Sequence, residues 1–123
     1  MMSRIKTLLV LVVLTTSAQA APTSLTQSVA QCTGRMSAEM EFEWLMGRSG
    51  DEARLFRSHL EDVLEAIVDP AERRAIMSLR IEAKQAHATL LTRSHFNDNA
   101  LDATRAARMA TRFSQQCRGM LMG

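Results

Sequence analysis

Apolar residues are distributed along this chain in two distinct patterns. From Thr7 to Leu14 they form one short unbroken run, and beyond about residue 24 they recur at intervals of three and four. The second pattern marks helix faces turned toward a core. Phe56, Leu60, Val63 and Ile67 keep it, as do Ile76, Leu79, Ala83, Ala86 and Leu90. The cleanest stripe is Ala103, Ala106, Ala110, Phe113, Cys117 and Met120, with Arg105, Arg108 and Arg112 on the opposite side.

End signals divide this pattern into four helices, over about 25–46, 50–68, 70–95 and 100–121. Ser24 is placed to cap the first, with Gln27 at capping-box spacing, and Gly47 to stop it. Ser49 opens the second, with Glu52 three residues on. Asp69 caps the third, Pro70 takes its first position, and Glu72 is spaced to reach back. The turn-like Asn97-Asp98-Asn99 precedes the fourth. Glycine and proline are few and are read as helix boundaries. Short connections between long helices favour antiparallel neighbours, so the expected fold is all-α, an up-down-up-down four-helix bundle. In that topology the start of helix one lies beside the end of helix four. Cys32 and Cys117 then meet at matching levels, and a disulfide joining those helices is expected.

The apolar run gives the compartment. Arg4 and Lys6 precede it, and Ala18-Gln19-Ala20 follows as a small-residue cleavage site. The run is well short of the roughly 20 apolar residues that cross a bilayer. Residues 1–20 are therefore expected to be a signal peptide, and 21–123 the helical domain of a periplasmic or secreted protein. Oxidising conditions there favour pairing of the two cysteines. Cleavage before Ala21 removes two of the 15 basic residues, leaving 13 against 13 acidic. A neutral domain lacks the electrostatic footprint of a nucleic-acid binder, and no stable membrane insertion is expected once the signal is gone.

Recognisable enzyme motifs are missing: the chain has no phosphate-binding glycine loop, no G-x-S-x-G and no H-E-x-x-H. Three features carry possible chemistry. The arginine stripe of helix four could meet phosphate or an anionic membrane surface, or simply pair with acids of neighbouring helices. Met36 and Met40, one turn apart, suit either a Cu(I) thioether site or core packing. Helix one places Glu39 and Glu43 on the face shared by Cys32, Met36 and Met46. Inward carboxylates need partners. His59 and His87 lie at the same level of the expected bundle, and the set Glu39, Glu43, His59 and His87 could hold Zn²⁺ or non-haem iron. The alternative is a salt-bridge layer in which Arg80 and His87 answer the glutamates. The overall expectation is a non-enzymatic exported binding or interaction protein with no cofactor, acting on a protein or small ligand. A periplasmic metal-binding bundle for a transition metal ion (Zn, Fe or Cu) is the alternative.

Overall fold

The computed structural model describes residues 23–122; the expected signal peptide lies outside them. Four helices run α1 Leu25–Leu45, α2 Asp51–Ile67, α3 Arg73–His95 and α4 Ala100–Met122, with a short 3₁₀ turn at Pro70–Glu72. No described helix is long and apolar enough to cross a membrane.

The ends of α1 follow the sequence signals. Ser24 and Gln27 form the full capping box, each side chain accepting the other's backbone N–H. At the other end Gly47 takes φ +77°, its N–H donating to the Trp44 carbonyl and that of Arg48 to the Glu43 carbonyl. This is a Schellman closure. Helix α2 differs from expectation in its N-cap, which is Gly50 at φ +66°, while the Ser49 hydroxyl accepts from the Asp51 N–H at 3.4 Å from just outside it. Asp69 accepts from the Ala71 N–H as expected, yet Pro70–Glu72 tightens into the 3₁₀ turn before α3 begins. Asn99 caps α4 by accepting from the Asp102 N–H, and Arg93 and Asn97 both hold the Asp102 carboxylate at 2.6 Å.

The bundle is centred on α1. This helix packs on α2, on α3 and, less extensively, on α4, while α2 scarcely meets α4. Its residues Val29, Ala30, Cys32, Met36, Ala38, Met40 and Phe42 are all buried. Two polar residues are buried with them, and each hydroxyl bonds a carbonyl one turn back: Thr33 to Val29 and Ser37 to Thr33. Gly34 lies mid-helix, not at an end, and it brings the backbones of α1 and α3 together. A Cβ there would stand 2.1 Å from the Arg80 carbonyl oxygen.

The main core joins Val29, Met36, Leu60, Leu64, Ile76 and Cys117, with Phe56 and Met120 packed against it. A smaller one links Leu90, Ala106 and Ala110 between α3 and α4. Cys32 and Cys117 form the disulfide between α1 and α4, across 85 residues of chain. Two expected stripes are rotated. Helix α2 faces inward through Ala53, Leu60 and Leu64, leaving Val63 and Ile67 partly exposed. On α3, Ala86 is exposed and His87 is buried. Both rotations follow from each helix packing against α1 instead of against the other.

Candidate functional site

One polar side chain from each helix enters a single network: Glu39 of α1, Glu52 of α2, His87 of α3 and Arg118 of α4. Arg118 lies over the Phe56 ring, 4.6 Å from its centroid, so the charge is packed against an aromatic face. Its guanidinium donates to Glu52 and lies 3.5 Å from Glu39 Oε2. The other oxygen of Glu39 is 3.3 Å from His87 Nε2. A carboxylate only accepts, so the imidazole donates from Nε2. His87 is 1% exposed, and its Nδ1 has no hydrogen-bond partner. Buried polar groups without partners are uncommon. The His87–Glu39 bond is therefore what keeps this ring's polar edge from being wholly orphaned.

A cleft of about 510 Å³ opens above the network, between the ends of α1 and α3, the start of α2 and α4. Phe42, Ala53 and Leu91 supply apolar wall; Glu39, Glu43, Arg48, His95 and Arg118 supply charge and hydrogen-bonding groups. A second depression of about 310 Å³ shares Glu39, Leu91, Ser114 and Arg118 and continues along α4 past Ala110. Together they form one groove floored by α1.

The rim is built from the α1–α2 loop. Trp44 Nε1 donates to the Ser49 carbonyl at 2.9 Å, tying the loop to α1. Gly50 is required by its positive φ, and a Cβ there would also press on the Met40 carbonyl at 3.1 Å. Arg48 returns a bidentate pair to Glu43 at 2.5 and 2.9 Å. These bonds hold the Glu43 carboxyl below the usual carboxylate range and push the Arg48 guanidinium up. On the facing wall His95 stacks edge-on against Phe42, with centroids 4.9 Å apart. Its Nδ1 contacts Ser94, whose hydroxyl donates to the Leu91 carbonyl at 2.7 Å. That serine proton is committed to the backbone, so the pair is not an activated nucleophile.

The structure unites two of the four residues expected to form a metal set. Glu39 and His87 meet, Glu43 stands on the rim with Arg48, and His59 is exposed on the outer face of α2. Among the described residues no three His, Cys, Asp or Glu side chains converge on a point that could hold a metal ion. Arg80 is not the answering cation either: it turns to Glu61 of α2, at 2.5 Å. Arg118 takes that place: it approaches Glu39 Oε2 from α4, while His87 of α3 meets the other oxygen. Its position one residue past inward-facing Cys117 was the available signal. Met36 and Met40 are both buried, and Met36 packs in the main core. The chain matches no protein-family model, no curated protein and no solved structure.

Proposed function

We propose that the chain is an exported, non-catalytic helical binding protein that receives a small ligand, or a partner's side chain, in the cleft that all four helices border. The observation that carries this reading is the cleft itself. Its volume of about 510 Å³ falls within the range of small-ligand sites, roughly 300–1,000 Å³. Apolar wall and groups of both charges border the same space, and the Arg118 network fixes the floor before any ligand arrives. Such preorganisation lowers the ordering cost of binding. Export is supported by the Cys32–Cys117 disulfide, a bond characteristic of oxidising compartments.

The test is an amide-resolved NMR titration of residues 21–123 with free amino acids, diamines and short peptides. A cleft ligand shifts the amides of Gly50, Asp51, Glu52, Ala53 and Ser114 together. Ser114→Trp, which fills the groove where its two halves join, abolishes those shifts while the melting temperature holds. Shifts scattered over the surface, or unaffected by Ser114→Trp, would reject the cleft as the site.

A further inference from the structure

Seven arginines and Lys84 have a carboxylate within 4.0 Å among the described residues. Five arginines do not, and three of those five, Arg105, Arg108 and Arg112, are exposed on the outer ridge of α4. At about 100° per residue they fall within one narrow arc of the helix and span about 10 Å of its length. The nearest acid on the helix, Asp102, is already held by Arg93 and Asn97. Neighbouring helices thus do not answer this charge. Among the described residues the carboxylates without an ion pair are Asp62, Asp69 and Glu72 on α2 and the turn after it, Glu82 on α3 and Asp98 in the turn before α4, and none of them lies within 4.0 Å of a ridge arginine.

Two apolar side chains flank the ridge: Leu101 is 63% exposed and Met109 47%. Beside Arg108 and Arg112, with Thr111 between them, runs an open trough of about 480 Å³. Guanidiniums and a hydroxyl at such a trough match a phosphodiester. Unpaired arginines interleaved with protruding apolar side chains are the composition of an interfacial contact with anionic lipid.

We propose that the outer ridge of α4 docks the protein, reversibly and without insertion, on an anionic phospholipid bilayer. Arg105, Arg108 and Arg112 contact the lipid phosphates, and Leu101 and Met109 enter the headgroup layer. Each arginine near such a surface multiplies partitioning by about fivefold, on the order of 100-fold for the three.

The experiment is flotation of residues 21–123, which contain every described helix, with vesicles of phosphatidylglycerol and phosphatidylcholine in equal parts, or of phosphatidylcholine alone. Binding is expected on the first and not the second, with loss at high salt because screening shortens the reach of exposed charge. The triple variant Arg105→Gln, Arg108→Gln, Arg112→Gln is expected to lose about 100-fold in partitioning with an unchanged melting curve. Arg74→Gln, an unpaired arginine off the ridge, is expected to bind like the wild type. Equal binding to both vesicles, or undiminished binding of the triple variant, would overturn the proposal. So would a salt-sensitive dimer in sedimentation velocity, abolished by the triple variant, without vesicle binding; that result would assign the ridge to a second copy of the chain. Chemical-shift changes with inorganic phosphate alone, again without vesicle binding, would assign it to a free anion.

Discussion

Gly34→Ala tests how the bundle is held together. A methyl group at this position meets the Arg80 carbonyl oxygen at 2.1 Å and the Lys84 nitrogen at 3.0 Å. Both are backbone atoms, so no side chain can swing aside. Restoring an ordinary contact of 3.4 Å requires α1 and α3 to part by about 1.3 Å at the crossing. Gaps of about that size forfeit much of the dispersion energy of the atoms on either side. Overpacking of a core costs roughly 1–3 kcal/mol, and a backbone-to-backbone clash belongs at the upper end. Against this, alanine gains about 1 kcal/mol over glycine in a helix interior. The expected net loss is about 2 kcal/mol, which lowers the melting temperature by roughly 8–16 °C in a domain of this size. Gly119→Ala is the matched control, because a Cβ there meets nothing within 4 Å. The same chemical change should then be neutral or stabilising, by up to about 1 kcal/mol. Thermal and urea unfolding of the two variants give the answer. Gly34→Ala as stable as the wild type would refute the tight crossing; destabilisation by both would show that glycine acts through something other than space.

Four further outcomes follow from the same structure. Reduction of the Cys32–Cys117 bond, which spans 85 residues, should destabilise the fold by up to about 4–5 kcal/mol on the chain-entropy account, read as a lower melting temperature in dithiothreitol; an unchanged melt would show that the bond closes nothing the fold depends on. Glu39→Leu removes the acceptor for buried His87 and should cost roughly 1–3 kcal/mol, whereas Glu39→Gln keeps an acceptor oxygen and should cost less. Added Zn²⁺ should leave the wild-type melting temperature unchanged, and a rise abolished by Glu39→Gln would restore the metal reading. Glu43 and Asp102 have carboxyls held below their ordinary range by Arg48 and Arg93. Their contribution is present above the ordinary carboxylate range and is lost as pH falls through the lowered values. Glu43→Gln with Asp102→Asn should therefore flatten the acid limb of the melting-temperature profile, and an unaltered limb would show that the pairs add nothing.

Much of this fold is legible in periodicity and punctuation, because both are local. The Ser24–Gln27 capping box, the Gly47 stop and the inward Ala106, Ala110 and Cys117 depend on residues within a turn or two of one another. The cysteine pairing followed from the even count in an expected oxidising compartment together with the bundle topology. What periodicity could not give was which helix would be central. An even square of four helices places Val63, Ile67 and Ala86 inside and lets Arg80 reach the glutamates. With α1 central, α2 and α3 each turn toward it, Arg80 is left facing Glu61 across a groove, and His87 replaces Ala86 in the interior. The glutamate and histidine of the polar layer were readable from their faces. Their cation was not, since Arg118 comes from a helix whose other arginines point outward.

The central position of α1 also accounts for the cleft. Gly34 draws α3 against α1, and five residues further along the same helix Glu39 meets His87. A helix drawn so close to α3 cannot be covered equally on all sides, and α2 and α4 remain apart, joined chiefly through Arg118 reaching from one to the other. The space left between them is the cleft, and the network on its floor is what spans the gap. If this is right, loosening the crossing at Gly34 should change the groove as well as the stability. In Gly34→Ala at temperatures where the fold persists, the amides of Gly50, Glu52 and Ser114 should shift although they lie outside the mutated contact, because α2 rests on α1 while α4 rests chiefly on α3, and the substitution forces those two supports apart. Shifts confined to the immediate neighbours of Gly34 would mean that the cleft is set by its own walls, and that the crossing and the site are independent features of the fold.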